Sequence, residues 1–186
     1  IDLESLPRVI LAQGLIKSHR WELMIEKVTE LGVSRVIPVI SERSRRQCQY
    51  KTERWRKISR EASQQSGRST LVEIDRPTPL ERVLSLIPPD SEKIILREPD
   101  TLQPLADYPE KISLTRKPVV VLAGPEGGWS EDERQWAEQA GFMPFNINRN
   151  TLRSETAAIS AVGILTFFGL GIYCNRRLFS ERKEVS

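Results

Sequence analysis

Short apolar runs alternate along the chain with stretches in which apolar side chains recur at helical spacing. Residues 8–12, which are apolar after Arg8, predict a strand. From Trp21 to Leu31, apolar residues occupy positions i, i+3, i+4, i+7 and i+10, which is typical of an amphipathic helix. Gly32 comes next, where many helices end. The first part of the chain is therefore predicted to be a strand followed by a helix.

The same alternation continues to residue 147. It predicts further strands at 36–40, 71–74, 93–96, 118–123 and 142–147, and helices at 51–65, 79–86 and 130–141. Pro38 should restrict its strand to a sheet edge or to a strand end, because proline cannot donate a ladder hydrogen bond. The run at 118–123 is apolar throughout, as in central parallel strands. The segment 98–117 lacks periodicity and is predicted to be a surface loop. Strands that alternate with helices predict an α/β fold with a largely parallel sheet and helices on both faces.

The composition fits one domain built from the 186 residues. Hydrophobic residues make up 39% and charged residues 28% of the chain, which is enough apolar material for one core. Two cysteines and one histidine are too few for a disulfide framework or a Cys/His zinc site, so we expect no metal and a reducing, cytoplasmic setting. No segment of the signal-peptide type precedes the first strand.

An uncharged stretch runs from Thr156 to Asn175. It is long enough to cross a membrane. Its first seven residues, however, are mainly Thr, Ala and Ser, and three glycines follow. We therefore favour a helix that is buried in the domain or in an interface between two subunits, and we expect no membrane association.

Basic residues are concentrated between Arg35 and Arg68, where ten Lys and Arg residues accompany three Glu residues. Arginine forms bidentate contacts with phosphate groups. The stretch is therefore either a nucleic-acid-binding surface or an ordinary solvated helix face. The candidate RNA-binding residues are Arg43, Arg45, Arg46, Arg54, Arg60 and Arg68.

Two loops carry the candidate chemistry. The loop at 122–130 is rich in glycine, which lets a backbone approach a ligand closely. The loop at 150–159 also joins a strand to a helix, and it contains Arg153 and Glu155. Each loop alone is compatible with a purely structural turn. Arg153 and Glu155 are likewise compatible with the ordinary start of a helix. Together, loops at the carboxyl ends of neighbouring parallel strands form the usual ligand crevice of an α/β sheet.

Five motifs occur in a fixed order along the chain. They lie at residues 21–33, 41–44, 61–68, 124–128 (Gly-Pro-Glu-Gly-Gly) and 152–158 (Leu-Arg-Ser-Glu-Thr-Ala-Ala). This combination resembles the RsmE family, ribosomal RNA uridine-N3 methyltransferases of the SPOUT superfamily. The resemblance implies a SPOUT domain whose C-terminal part forms a deep trefoil knot, S-adenosylmethionine as the cofactor, and a homodimer. It also implies methylation of N3 of a uridine in 16S ribosomal RNA, with that RNA or the small ribosomal subunit as partner.

The resemblance also implies roles for individual residues. The implied cofactor contacts are Leu122, Gly124, Pro125, Glu126, Gly127, Gly128, Ile147, Leu152, Arg153, Thr156 and Ala157. Arg153 and Glu155 are the implied catalytic residues. The guanidinium of Arg153 would stabilise the negative charge that develops as uridine N3 loses its proton. Glu155 would orient Arg153 or cap the following helix.

Two other functions are compatible with the same residues. One is a SPOUT methyltransferase that acts on another RNA position, such as a ribose 2′-hydroxyl. The other is a non-catalytic RNA-binding or ribosome-assembly protein. RsmE proteins begin with a PUA-like RNA-binding barrel, which we expect to be absent or truncated here, so that the methyltransferase domain occupies residues 1–186. Residues 167–186 are expected to form a C-terminal helix extension and tail.

Overall fold

The computed structural model describes residues 8–44, 50–97 and 117–183, with backbone alone for 169–183. Strands and helices alternate along these ranges. The strands are β1 (Val9–Gly14), β2 (Arg35–Ile40), β3 (Glu73–Ile74), β4 (Thr78–Pro79), β5 (Glu92–Leu96), β6 (Val119–Ala123) and β7 (Met143–Phe145). The helices are α1 (Ser18–Glu30), α2 (Thr52–Gln65), α3 (Leu80–Leu86), α4 (Glu131–Gln139) and α5 (Ser154–Lys183).

These strands form one parallel sheet. The order across it is β3-β2-β1-β6-β5-β7, and β4 also pairs with β2. In the centre of the sheet, Leu11 of β1 lies between Val36 of β2 and Val121 of β6. Every residue of β6 is buried, as predicted for a central strand covered on both faces. The predicted α/β class with a parallel sheet is confirmed.

Helices cover both faces of the sheet, as predicted. Leu11 and Val121 face a core that also contains Trp21 and side chains of α2 and α5. Leu122 faces the opposite core, which contains Leu80 and side chains of α3 and α4. Because successive side chains of a strand point to opposite faces, each central strand contributes to both cores.

Pro38 lies inside the sheet, and the prediction of an edge or a strand end was wrong. The reason is a gap in the neighbouring strand. β3 pairs with residues 35–36 and β4 with residues 39–40, so neither lies opposite Pro38. The carbonyls of Ser34 and Val36 accept hydrogen bonds from the side of β2 on which β3 lies. Backbone polar groups of every second residue point to the same side of a strand, so the nitrogen of Pro38 also faces that side. The ladder therefore does not need the N–H that proline lacks.

The element boundaries differ from the predicted ones by a few residues. α1 begins at Ser18, three residues before the predicted start. β3 has two residues and β7 has three, so both are shorter than predicted. Pro79 belongs to β4 and not to α3. The predicted loop at 98–117 lies outside the described residues except for its last position.

The uncharged stretch forms part of α5. Ala158, Ala161, Val162 and Leu165 are buried, and they belong to the core that α5 shares with α1 and the central strands. The prediction of a helix buried in the domain is therefore confirmed for the first half of the stretch. None of the helices in the described ranges combines the length and the hydropathy of a membrane-spanning segment.

The end of β1 lies directly against the loop that follows β6. A Cβ atom built on Gly14 would lie 2.6 Å from Cδ and 2.6 Å from the backbone nitrogen of Pro125. Real Cβ atoms do not approach other heavy atoms so closely, so the contact between position 14 and Pro125 requires glycine. The two central strands therefore lead into segments that touch each other.

Gly14→Ala is expected to lower the free energy of unfolding by about 1–3 kcal/mol, because the added methyl forces the strand or the loop to shift. Urea unfolding followed by circular dichroism measures this change. Gly163→Ala in α5 is the matched control, since its Cβ would meet Leu31 at an ordinary 3.6 Å and alanine favours a helix. The control should be at least as stable as the wild type. Equal stability of Gly14→Ala and the wild type would contradict the close contact between Gly14 and Pro125.

Candidate active site

A cavity of about 510 Å³ opens at the carboxyl ends of the central strands. Two loops form most of its wall, one at 124–130 after β6 and one at 146–153 between β7 and α5. Leu96 and Ala123, the last residues of β5 and β6, also line it. Parallel sheets usually bind ligands at this position, and the volume is in the range of small-molecule sites. The two loops singled out in the sequence therefore form one site.

Glycines determine the shape of the loop at 124–130. Gly128 has a φ of +68°, a conformation that other residues rarely adopt. A Cβ atom on Gly124 would lie 3.3 Å from Nε1 of Trp129, and one on Gly127 would lie 3.3 Å from Cβ of Arg43. These glycines therefore let the loop backbone pack closely against both side chains.

Glu133 holds the end of this loop in place. Its Oε2 accepts a hydrogen bond of 2.9 Å from the backbone N–H of Ser130, which caps α4. Its Oε1 accepts a second hydrogen bond of 2.8 Å from the backbone N–H of Glu42, just after β2. The neighbouring Arg43 donates from Nη1 to the carbonyl of Gly127 at 3.2 Å. One buried carboxylate thus keeps the segment after β2 beside the glycine loop.

Most of the residues assigned to the cofactor by resemblance line the cavity. They are Gly124, Pro125, Glu126, Gly127, Gly128, Ile147, Leu152, Arg153 and Ala157. Leu122 and Thr156 lie elsewhere. Leu122 is fully buried on the face toward α3 and α4, because the alternation along β6 gives the cavity position to Ala123. Thr156 is exposed at the start of α5.

Arg20, in the first turn of α1, connects the loop at 124–130 to the first turn of α5 by ion pairs. Its Nη1 lies 3.0 Å from Oε1 of Glu126, and its Nε lies 3.5 Å from Oε1 of Glu155. The side chain of Glu155 is only 8% exposed, and its Oε2 has no hydrogen-bond partner in the part of the chain that the structure describes. Glu155 therefore pairs with Arg20, whereas the expectation from the sequence was that it would orient Arg153 or cap the following helix.

Three of the arginines that surround the cavity were not predicted from the sequence. The full set is Arg20, Arg43, Arg97, Arg134 and Arg153. Arg97 pairs with Glu138 of α4 at 3.5 Å, and Arg134 pairs with Glu131 in the same helix. The position of Arg97, directly after β5, is a signal that was overlooked. Arg20 and Arg134 lie on amphipathic helices, where nothing local distinguishes them from other solvated residues.

Two of the arginines predicted to bind RNA are engaged within the domain. Arg54 donates two hydrogen bonds, of 2.6 and 2.7 Å, to the carboxylate of Glu22. This contact lowers the pKa of Glu22 below its ordinary value. Arg68 donates to the carbonyl of Thr29 at 2.6 Å, and its partial burial lowers the pKa of its guanidinium. Both side chains therefore connect α1 to α2 or to the turn that follows α2.

The other predicted RNA-binding arginines differ in position. Arg43 lies at the cavity, and Arg60 is exposed on α2. Arg45 and Arg46 lie outside the described residues. Within those ranges, Arg43 and Arg153 line the cavity without a carboxylate partner, so their positive charge is available to an anionic ligand. No group of three or more His, Cys, Asp or Glu side chains is placed to hold a metal ion in the described parts of the chain.

Comparison with known proteins identifies the class. The chain matches the model of the RNA methyltransferase domain family over residues 4–166, and it belongs to that family. The ribosomal RNA small subunit methyltransferase E of Aquifex aeolicus is 39% identical over 150 residues, which cover 79% of this chain and 62% of the relative. The protein of the same name from Mesomycoplasma hyopneumoniae is 30% identical over 158 residues, covering 82% and 66%. The resemblance to the RsmE family is confirmed, and the chain spans slightly less than two thirds of these relatives.

Solved structures share the fold. The ribosomal RNA small subunit methyltransferase E of Neisseria gonorrhoeae, bound to S-adenosyl methionine, has a TM-score of 0.77 and 30% identity, covering 87% of this chain and 66% of that one. A Legionella pneumophila protein in complex with the cofactor SAM has a TM-score of 0.80 and 31% identity, covering 90% and 69%. The parallel α/β architecture is therefore common to this chain and to proteins that bind S-adenosylmethionine.

Arg20→Met is expected to lower the free energy of unfolding by about 1–3 kcal/mol, because it leaves the buried carboxylate of Glu155 without its counter-charge. Guanidinium unfolding measures the change. Arg54→Met is the matched control, since it removes an arginine of an ion pair whose guanidinium is largely exposed, and it should have little effect. A stability loss in Arg20→Met no greater than that of the control would show that Glu155 does not depend on Arg20.

Proposed function

We propose that this chain transfers a methyl group from S-adenosylmethionine to N3 of a uridine in 16S ribosomal RNA. The observation that supports this function best is the cavity between the two motif loops. It occurs in a chain whose structural relatives include a small-subunit ribosomal RNA methyltransferase bound to S-adenosyl methionine. The RNA, alone or in the small ribosomal subunit, is the proposed partner, and such a substrate implies a cytoplasmic location.

The residues at the cavity fit this cofactor. Gly124 and Gly127 line the cavity with backbone atoms alone. Ile147, Leu152 and Ala157 line the same cavity and offer apolar surface to an adenine ring. The carboxylate of Glu126 lies at the same cavity, where it pairs with Arg20. When bound, S-adenosylmethionine supplies an activated methyl group on its sulfonium.

The protein must align the acceptor and stabilise the charge that forms on it. Uridine N3 carries a proton at neutral pH, and its loss spreads negative charge over the two flanking carbonyl oxygens. Arg153 is exposed at the cavity and has no carboxylate partner among the described residues, so its guanidinium is free to donate to those oxygens. Arg20 is less suitable, because Glu126 and Glu155 already neutralise it. Arg153 is therefore the proposed catalytic residue.

The proposal includes a deep trefoil knot in the C-terminal part. β7 lies at one edge of the sheet, yet α5, which follows it, packs against β1 and β6 in the centre. The hydroxyl of Ser154, the first residue of α5, donates a hydrogen bond to the carbonyl of Gly124. The segment 146–153 thus returns from the edge to the middle of the sheet, as a threaded chain must do.

The proposal also includes a homodimer formed through α5. Phe167 is 71% exposed, and its ring lies 5.7 Å from that of Phe168. These aromatic side chains lie on a part of the helix that carries no charge from Thr156 to Asn175. An exposed apolar surface of this kind favours burial against a second subunit.

Methyl incorporation from labelled S-adenosylmethionine into ribosomal RNA, followed by nucleoside analysis, tests the proposed reaction. Labelled 3-methyluridine supports it. A labelled 2′-O-methyl nucleoside would instead assign the chain to another methylation reaction on RNA. RNA binding without any incorporation would indicate a binding or assembly protein. The last two results both contradict the proposal.

Ala157→Leu is expected to weaken binding of S-adenosylmethionine by about tenfold or more, because the larger side chain occupies cavity volume that the cofactor needs. Isothermal titration calorimetry measures the affinity. Thr156→Leu is the matched control, since the neighbouring residue is exposed outside the cavity. The control should bind the cofactor normally. Normal binding by folded Ala157→Leu protein would exclude this cavity as the cofactor site.

Arg153→Ala is expected to lower the methylation rate by about a hundredfold, because the charge that forms on the uracil loses its donor. Cofactor affinity should stay nearly unchanged, and a higher pH should partly restore the rate by promoting loss of the N3 proton. Single-turnover methylation at several pH values measures both effects. A normal methylation rate in this variant would show that Arg153 is not a catalytic residue and only precedes the helix.

A further inference from the structure

Gln13 is a buried polar residue that the proposed chemistry does not use. It is fully buried near the end of β1. Its Nε2 lies 2.9 Å from each of three acceptors: the carbonyl of Gly14, the carbonyl of Gly124 and Oγ of Ser154. The hydroxyl of Ser154 in turn donates to the carbonyl of Gly124. A single amide group therefore connects β1, the glycine loop and the first residue of α5.

The partners of Gln13 fix the orientation of its amide. If the nitrogen and oxygen were exchanged, Oε1 would face the carbonyl oxygens of Gly14 and Gly124, which only accept hydrogen bonds. In the observed orientation, Oε1 is buried and has no hydrogen-bond partner among the described residues. A buried unpaired oxygen costs stability. The gain that offsets this cost must come from the donor side of the amide, which faces the two loops.

We propose that Gln13 is a positioning residue, whose amide fixes the glycine loop relative to the loop that carries Arg153 and so sets the shape of the cavity. Gly124 and Ser154 both line the cavity, whereas Gln13 does not. Gln13 therefore acts on a ligand through these two residues and without touching it. The identity of that ligand as S-adenosylmethionine rests on the proposed function.

Gln13→Met tests the role, because methionine has a similar length and no hydrogen-bond donor. We expect its affinity for S-adenosylmethionine, measured by calorimetry on folded protein, to fall by about tenfold. Thr29→Val is the matched control. It removes a buried hydrogen bond of 3.2 Å to Ser59 between α1 and α2, outside the cavity. The control should lower the melting temperature but leave the affinity within about twofold. Unchanged affinity in Gln13→Met, or an equal loss in the control, would overturn the proposal.

Ser154→Ala, combined with Gln13→Met, tests whether Gln13 and Ser154 act together or independently. If Gln13 and Ser154 act together on the carbonyl of Gly124, the double variant loses less affinity than the product of the two single losses. Losses that multiply fully in the double variant would mean that the two side chains act independently. That result contradicts the proposed role of Gln13.

Hydrogen exchange on the protein without cofactor tests the same role independently of the ligand. Gln13→Met should raise the exchange rates of amides at 124–130 and 151–157 by about tenfold and leave those of α2 unchanged, whereas Thr29→Val should not affect the two loops. Unchanged exchange in both loops of Gln13→Met would overturn the proposal. If the wild type binds no S-adenosylmethionine, the proposed function fails, and this measurement still decides the role of Gln13.

Discussion

The contact between the ends of β1 and β6 is the constraint on which the site depends. Parallel pairing of these strands places the segments that follow them at the same edge of the sheet. Gly14 then lets the backbone at Pro125 pass within a distance that no side chain would allow. The start of α5 reaches the same point, where Ser154 contacts Gly124. Three segments therefore meet at one place, and the cavity lies between two of them.

The sequence was sufficient to predict the elements and the class of fold. The spacing of apolar residues predicts α1 and α2, and the uninterrupted run before Gly124 predicts a central strand. Pro38 shows the limit of this reasoning. The rule that proline belongs at a sheet edge considers one strand and not its neighbours. Here the gap between β3 and β4 leaves no hydrogen bond for the missing N–H of Pro38 to donate. The order of strands across the sheet likewise follows from packing that no local pattern encodes.

The site was predictable as two loops but not as a network of contacts. Glycines and small residues identify loops that ligands can approach, and nine of the residues assigned by resemblance line the cavity. The partners of the charged groups could not be predicted, because they come from distant parts of the sequence. Arg20 pairs with Glu126 and Glu155, so a residue of the first helix neutralises charges of the glycine loop and of α5. For the same reason, the function of Gln13 could not be inferred from β1 alone.

The hydrogen bonds of Gln13 also determine when the site can form. They join residues separated by 111 and 141 positions in the sequence. Contacts over such separations form slowly, because closing a long loop costs entropy before the contact is gained. The second wall of the cavity is formed by the loop at 146–153, so the cavity is incomplete until that segment has been synthesised. A chain whose synthesis has not reached this loop therefore lacks the ligand site.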